Sequence, residues 1–257
     1  MALVTGAGRR LGRAIALGLA QHGWSICVHY HRSQPDALET VAEIRSLGGQ
    51  AISLQADLSI SEQTRALIPQ CMAQLGIPHC LINSASLFEY DDALTFRPDL
   101  LERHMAIHVT APMILGAALY QAHTTAPAGT MRGGCIINML DQKLYNLNPD
   151  YLSYTLSKAA LNTATQLQAL SFAPHLRVVG LAPGITLPSG PQTEAEYRDA
   201  HRQTPLGHAS FPVDIVHAVC YLATAEAVTG TTLVVDGGQH LQPSLRDVMF
   251  TAADVNR

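Results

Sequence analysis

The chain has 257 residues, of which 47% are hydrophobic and 14% are charged. It is too apolar for a disordered protein, and its length suits a single α/β domain with one large core. The net charge of −4, from 16 Lys and Arg against 20 Asp and Glu, argues against a general nucleic-acid binder, which is usually basic.

Membrane, secretory and metal-binding classes are also disfavoured. No run reaches the roughly 18 apolar residues of a membrane helix, and no basic segment of a signal peptide precedes the first apolar run. The five cysteines are widely spread and form no CxxC pattern, which disfavours zinc or disulfide scaffolds and points to a reducing cytoplasm. The 12 histidines form no HxH or HExxH pattern, so no metal site is expected.

Short apolar runs alternate with segments of helical spacing along the chain. Strands are predicted at Ala2–Thr5, Ser25–Tyr30, Ala51–Gln55, Cys80–Ile82, Cys135–Met139, Arg177–Leu181 and Thr232–Val235. Helices are predicted at Leu11–His22, Pro35–Leu47, Ser61–Leu75, Leu100–Gln121, Tyr151–Phe172 and Pro212–Ala223. This alternation predicts one α/β domain over residues 1–257, a Rossmann-type doubly wound parallel sheet with helices on both faces.

One long irregular segment, residues 184–211, is rich in Pro, Gly, Ser and Thr. Long connections in compact α/β domains are often functional, so we expect a substrate-binding lid here. Helical spacing runs across Thr193–Arg202 within it. Its charged side chains are more simply explained as a solvated face than as substrate ligands.

A glycine-rich turn follows the first strand. Gly6 and Gly8 allow a sharp turn close to a pyrophosphate, and Gly12 allows close packing of helix on sheet. The spacing is Gly-x-Gly-x-x-x-Gly, which differs from the Gly-x-Gly-x-x-Gly fingerprint. A tight strand-to-helix turn without a ligand is the alternative interpretation.

Basic side chains stand where an NAD enzyme usually places Asp or Glu. The second strand ends in His31, Arg32 and Ser33, and Arg10 lies in the glycine turn. Guanidinium groups bind a 2′-phosphate that a carboxylate would repel, so NADP(H) is favoured over NAD(H). A solvated basic loop is the alternative. Asp57, after the third strand, either accepts from the adenine amino group or caps a helix.

Tyr154 and Lys158 stand four residues apart on a predicted helix, so they share a face. A tyrosine phenol is a weak acid, with a reference pKa of about 10. A nearby ammonium stabilises the phenolate and brings its pKa toward the working range. Such a tyrosine can protonate an oxygen or nitrogen while hydride reaches the adjacent carbon, although the pair alone also arises by chance.

Taken together, these motifs resemble the short-chain dehydrogenase/reductase family along nearly the whole chain. The matching segments, in order, are Thr5–Gly12, Asn83–Ser86, Tyr154 with Lys158, Pro183 with Gly184, and Asp236–Gly238. The resemblance implies that Tyr154 is the acid and that Lys158 lowers its pKa and holds the nicotinamide ribose. It also implies a homotetramer, with subunit contacts from the tail Gln239–Arg257. Further cofactor contacts are expected from Leu11, Leu58, Asn83, Ser84, Ala85, Pro183, Gly184 and Thr186.

Departures from the family pattern indicate a branch. Most members carry a Ser thirteen residues before the Tyr, where this chain has Asp141. Asp141 and Arg10 together resemble the pteridine reductases, in which an aromatic residue at the position of Phe88 stacks on the pterin. His108 replaces a water-supporting Asn, as in bacterial dihydromonapterin reductases that also reduce dihydrofolate. A core histidine satisfied by the backbone is the alternative for His108.

Asp141 suits a pterin because a carboxylate accepts from the ring's adjacent N–H and amino donors. An ionised carboxylate would repel a ketone oxygen. The leading hypothesis is an NADPH-dependent reductase of a pterin, dihydropterin or dihydrofolate C=N bond, with Tyr154, Lys158 and Asp141 catalytic and Phe88 on the substrate. The alternatives are a 3-oxoacyl or ketone reductase, a non-catalytic NADPH-binding protein, and an Asp141 that turns away to pair with Lys143.

Overall fold

The computed structural model describes residues 1–127, 133–188, 193–202 and 204–251. Within them, seven parallel strands form a sheet in the order β3-β2-β1-β4-β5-β6-β7. The strands are β1 (Ala2–Val4), β2 (Ile26–Tyr30), β3 (Ala51–Gln55), β4 (Cys80–Asn83), β5 (Gly134–Met139), β6 (Leu176–Pro183) and β7 (Thr232–Val235).

The α-helices connect these strands. They are α1 (Arg10–Gln21), α2 (Gln34–Ser46), α3 (Ser61–Leu75), α4 (Pro98–Met105), α5 (Ala111–Thr125), α6 (Leu152–Phe172), α7 (Glu194–Arg202), α8 (Pro212–Thr224) and α9 (Val248–Thr251). Short 3₁₀ turns lie at Gln142–Tyr145 and Gln239–Leu241.

Two apolar layers cover the sheet because successive strand residues point to opposite faces. In β1, Val4 joins a cluster with Ile15 of α1, whereas Leu3 joins a second cluster with Leu115 of α5. Helices α1, α2 and α8 pack on the first face, and α3, α5 and α6 contribute to the second. The predicted doubly wound α/β fold with helices on both faces is confirmed.

The predicted helix Leu100–Gln121 is longer than expected and interrupted. Helix α4 continues through a π-helical turn at Ala106–Thr110 into α5. Pro112 has no N–H for the carbonyl four residues earlier, that of His108, so a regular α-helical bond is impossible there. The interruption therefore falls where proline chemistry requires it, and it lies beside the site described below.

This helical stretch corrects the expectation that no segment is apolar enough for a membrane. Pro98–Thr125 is 28 residues long with a mean hydropathy of 1.3 over its most apolar window, so it passes a length-and-composition test for crossing a membrane. Buried helices of folded domains pass the same test. Leu115 and Leu119 of this stretch are fully buried in the core.

The predicted lid is only partly described. Residues 189–192 and 203 lie outside the described residues, as do residues 252–257 of the predicted tail. Helix α7 lies within the segment that showed helical spacing. The Tyr197 hydroxyl donates to the Thr186 carbonyl at 2.9 Å, which ties α7 to the start of this segment.

Candidate active site

A cleft of about 1060 Å³ opens at the carboxyl ends of the strands. In doubly wound folds ligands bind at this edge, where the order of the strands reverses. We call one part the glycine-turn end, formed by Gly6, Arg10, Arg32 and Ser33. The other part, the Tyr154 end, is lined by Phe88, Asp141, Tyr154 and Asp247.

A buried histidine holds the glycine turn in place. The Gly6 N–H donates to Nδ1 of His29 at 3.1 Å, and Nε2 of His29 lies 3.1 Å from the Ala56 carbonyl. Nδ1 is therefore the acceptor, and Nε2 carries the proton that bonds Ala56. Burial lowers the pKa of His29 to about 4, so the ring is neutral at physiological pH. The turn between β1 and α1 is thus fixed by β2 and by the loop after β3.

The glycines of the turn are packed too closely against the protein's own atoms to carry a side chain. A Cβ on Gly12 would lie 2.3 Å from the Gly6 carbonyl oxygen, and one on Gly8 would lie 2.9 Å from Oγ of Ser33. No side-chain oxygen caps the first turn of α1, and that turn contains no acidic residue. Its N–H groups are therefore available to an anion. These features fit the diphosphate of a dinucleotide.

Charged residues at this end make specific contacts. The His31 imidazole lies 3.3 Å from the Asp57 carboxylate, and Arg9 pairs with Asp36 at 2.6 Å. Asp57 also accepts from the N–H and the hydroxyl of Ser59 at 2.9 and 2.6 Å. Asp57 therefore closes a local turn before α3, but it does not cap that helix, whose N-cap position is Ile60, and it lines the cleft.

Arg10 reaches across the cleft. Its backbone is left-handed, with φ of +53°, and its guanidinium donates to the Pro188 carbonyl at 2.8 Å. A left-handed backbone is costly for a residue with a Cβ, so it marks a position that the surrounding structure imposes. Arg10 connects the glycine turn to the first residues of the predicted lid.

Tyr154 and Asp141 form the central contact of the Tyr154 end. The Tyr154 hydroxyl donates to Oδ2 of Asp141 at 2.7 Å, and the Lys143 N–H donates to Oδ1 at 2.8 Å. Burial raises the pKa of Asp141 above its ordinary value. Asp141 faces Tyr154, and its contact with Lys143 is to the backbone, so the alternative of an Asp141–Lys143 ion pair is wrong.

Lys158 stands beside this pair and is also buried. Its ammonium donates to the Met139 carbonyl at 2.6 Å and lies 5.6 Å from the centre of the Tyr154 ring. Burial lowers the pKa of Lys158 to about 8. Burial and, after it, the Asp141 carboxylate raise the pKa of Tyr154 well above 10. These two effects outweigh the lowering of the Tyr154 pKa that was expected from Lys158, so Tyr154 keeps its proton at neutral pH.

His108 lies at the π-helical turn and is locked in one tautomer. The Leu87 N–H donates to Nε2 of His108 at 3.0 Å, so that nitrogen is an acceptor. Nδ1 then carries the proton and bonds the Ser157 hydroxyl at 2.8 Å, and that hydroxyl donates to the Tyr154 carbonyl at 2.7 Å. Burial and the nearby Lys158 lower the pKa of His108 well below 6.5. A neutral His108 therefore supports the backbone around Tyr154.

Phe88 belongs to an aromatic cluster. Its ring stacks on Tyr151 with centroids 4.1 Å apart and meets the Tyr154 ring edge-on at 4.8 Å. Tyr151 has a left-handed backbone with φ of +57° immediately before α6. One face of Phe88 is therefore already covered, and a substrate ring can stack only on the other. Phe88 itself remains 42% exposed and lines the cleft.

Comparison with known proteins places this geometry in a family. A short-chain dehydrogenase/reductase model described as enoyl-(acyl carrier protein) reductase matches residues 6–240. The chain belongs to the short-chain dehydrogenase/reductase family. Pteridine reductase 1 of Leishmania tarentolae is 30% identical over 280 residues, covering 94% of this chain and 96% of the relative.

Two solved structures are also similar. FolM alternative dihydrofolate reductase 1 of Brucella canis, complexed with NADP, superposes with a TM-score of 0.86 at 36% identity, covering 94% of each chain. The same protein of Brucella suis, also in complex with NADP, gives 0.85 at 35% identity and covers 95% of this chain and 98% of that one. The expected membership of the family is confirmed, and the fold of these relatives is shared along almost the entire chain.

Most of the site residues expected of this short-chain reductase line the one cleft. Two do not: Gly8 packs behind the turn, and the Asn83 side chain is buried, donating to Asn138 at 2.7 Å. Sequence reasoning did not find the contribution of the segment after β7, because nothing in its pattern marks it. The expected cleft residues that do line it, besides those named above, are Leu11, Gly12, His31, Leu58, Ser84, Ala85, Pro183, Gly184 and Thr186.

Proposed function

We propose that this oxidoreductase is an NADPH-dependent reductase of a dihydropterin or dihydrofolate-type C=N bond. The observation that carries the proposal is the hydrogen bond between Tyr154 and Asp141, at 2.7 Å in the cleft. A Ser is usual in the family at the position of Asp141. The similarity to pteridine reductase 1 and to two FolM dihydrofolate reductases supports the same substrate class.

The glycine-turn end suits NADPH. The N–H groups at the start of α1 would bind the diphosphate, and Arg32 with Ser33 would bind the 2′-phosphate. When bound, the cofactor supplies a hydride to the carbon of the C=N bond. The two similar solved structures hold NADP, which supports this assignment. Asn83 contributes from behind the cleft by fixing the end of β4 through Asn138.

The Tyr154 end supplies the proton that the substrate nitrogen gains. Tyr154 keeps its proton at neutral pH because burial and Asp141 raise its pKa. Asp141 accepts hydrogen bonds from the ring N–H and amino groups, and it holds the Tyr154 hydroxyl in place. A ketone offers only an acceptor oxygen, which an ionised Asp141 disfavours. Reduction of C=N therefore uses both members of the pair.

The direct test measures NADPH oxidation at 340 nm with dihydrobiopterin, dihydromonapterin, dihydrofolate and an acetoacetyl thioester. We expect turnover of the dihydropterins and lower activity on the thioester. In Asp141→Ser, dihydropterin kcat/KM should fall by about tenfold or more, because a charged acceptor contributes roughly 1.5–3 kcal/mol. Unchanged dihydropterin turnover in Asp141→Ser, or turnover of the thioester alone by the unmodified enzyme, would contradict the proposal.

The remaining expectations stay predictions. They are a homotetramer, a cytoplasmic location, and a lid over residues 184–211 that closes on the substrate. The single domain over residues 1–257 is likewise proposed. It is supported by the single sheet, which contains all seven described strands, and by the two apolar layers that pack helices on its two faces.

A further inference from the structure

The segment after β7 folds back over the Tyr154 end of the cleft. Arg246 forms an ion pair with Asp150, whose side chain is only 2% exposed, with Nε lying 3.0 Å from Oδ2. The Asp247 N–H donates to the same Oδ2 at 2.7 Å, and the Asn146 amide donates to the Gln242 carbonyl at 2.6 Å. These contacts fix the segment on the loop that precedes α6.

Asp247 is brought to the cleft by this docking. Its Oδ2 accepts from the buried ammonium of Lys143 at 2.9 Å, and its Oδ1 accepts from the Met249 N–H at 3.2 Å. Each carboxylate oxygen has two lone pairs, so each retains the capacity to accept another hydrogen bond. The Asp247 side chain is 15% exposed and lines the cleft. An incoming ligand can therefore reach it.

Lys143 connects Asp247 with Asp141. Its backbone N–H holds the Asp141 carboxylate, and its ammonium holds that of Asp247. Two carboxylates at the same end of the cleft are thus fixed by the two ends of a single residue. Lys143 itself is 2% exposed, so it presents little surface to a ligand, and its role here is to hold the two carboxylates.

We propose that Asp247 is a substrate-recognition residue, whose carboxylate accepts hydrogen bonds from N–H or O–H donors of the substrate beside those bound by Asp141. The inference rests on the proposed function. A dihydropterin carries ring N–H, amino and side-chain hydroxyl donors on different edges, so a single carboxylate cannot accept from all of them. A second fixed acceptor would therefore both orient the ring and select a donor-rich substrate.

Asp247 also gives this end of the cleft a charge preference. The Asp247 side chain is 15% exposed and that of its ion-pair partner Lys143 only 3%, so a ligand meets the negative end of a pair that is neutral overall. That end repels a substrate that carries its own carboxylates, and the repulsion is strengthened where water is excluded. Dihydrofolate has carboxylates on its glutamate, whereas dihydrobiopterin has none. Asp247 therefore favours the uncharged dihydropterin over dihydrofolate at the stage of binding.

The test compares kcat/KM for dihydrobiopterin and dihydrofolate in the unmodified enzyme, Asp247→Asn and Asp247→Glu. In Asp247→Asn we expect kcat/KM for dihydrobiopterin to fall roughly tenfold. The loss should be smaller for dihydrofolate, so the ratio of the two shifts toward dihydrofolate. Asp247→Glu should retain the original ratio because it keeps the charge. The Kd for NADPH should stay within about twofold in all variants, since that ligand binds mainly elsewhere.

Two further variants control for structure. Asp99→Asn makes the same change at an exposed side chain of α4 that does not line the cleft, and it should leave the ratio unchanged. Lys143→Met combined with Asp247→Asn removes both charges, so it leaves no buried ammonium unpaired, and it should reproduce the shifted ratio. Equal losses on both substrates, or a ratio like that of Asp99→Asn, would overturn the inference alone. An unmodified enzyme that reduces neither dihydropterin nor dihydrofolate would overturn the proposed function and the inference with it.

Discussion

The glycine-turn end and the Tyr154 end of the cleft differ in what holds them together. At the glycine-turn end, backbone groups and one neutral imidazole fix the shape: the Gly6 N–H bonds His29, which bonds the Ala56 carbonyl. At the Tyr154 end, ionisable side chains contact one another directly. Burial raises the pKa of Asp141 and of Tyr154, and lowers that of Lys158 to about 8.

This difference separates two tasks. A rigid backbone turn binds an anion without storing a proton, and its geometry is independent of pH near neutrality. A buried cluster of an acid, a phenol and an amine holds exchangeable protons, and a bound ligand can shift how those protons are distributed. Mutations at the two ends are therefore expected to affect different measurements.

The largest expected effect comes from removing the hydroxyl of Tyr154. In Tyr154→Phe the proposed proton donor is lost, and general acid catalysis typically contributes a factor of 10² to 10⁴. We expect kcat to fall by about that much, with the Kd for NADPH, measured by fluorescence titration, almost unchanged. A comparable loss of NADPH affinity would show that the two ends are not separable. Tyr120→Phe, on α5 and stacked on Phe172, is the matched control and should retain activity.

The glycine-turn end was largely predictable from the sequence because its signals are local. Buried parallel strands appear as continuous apolar runs, and Gly6, Gly8 and Gly12 lie within one short motif. Tyr154 and Lys158 were also found, since a spacing of four places both on one face of α6. The position of Asp141 followed from its fixed offset to Tyr154 within the family resemblance.

The rest of the Tyr154 end depends on contacts between distant parts of the chain. Asp247 reaches Lys143 across 104 residues, with no periodic pattern at either partner. One contact of the glycine-turn end, from Arg10 to Pro188, likewise spans 178 residues. The stacking of Phe88 on Tyr151 depends on the left-handed backbone of Tyr151, which the residue type does not predict. The direction of the pKa shift of Tyr154 depends on burial, which spacing alone does not report. These features could therefore be identified only in the folded structure.

The second prediction concerns stability and tests the claim that His29 is neutral. Its pKa is lowered from 6.5 to about 4, so between these values the unfolded chain binds a proton that the folded chain does not. The free energy of unfolding therefore falls as the pH drops through this window. The loss from this group reaches about 3 kcal/mol once the pH is below both pKa values. Urea denaturation at pH 7 and pH 4.5 measures the loss.

The matched variants for this prediction are His29→Gln and His217→Gln. His217 is exposed on α8, and its replacement should leave the difference between the two pH values unchanged. His29→Gln should reduce the difference, because the group that titrates is gone, while it lowers stability at pH 7 through the lost bond to Gly6. An unchanged difference in His29→Gln would mean that another buried histidine, such as His108, accounts for the acid sensitivity.

The smallest expected effect sharpens the comparison at the glycine-turn end, where Arg32 is the guanidinium that we propose binds the 2′-phosphate. A charge-assisted hydrogen bond contributes about 1.5–3 kcal/mol, so Arg32→Ser should lower kcat/KM for NADPH roughly tenfold or somewhat more. Activity with NADH should not change, because NADH lacks that phosphate. Arg65→Ser, at an exposed position of α3 outside the cleft, should leave both values unchanged. An equal loss with both cofactors would mean that Arg32 supports the shape of the loop after β2, and the preference for NADPH would then have to come from Arg10 or Ser33.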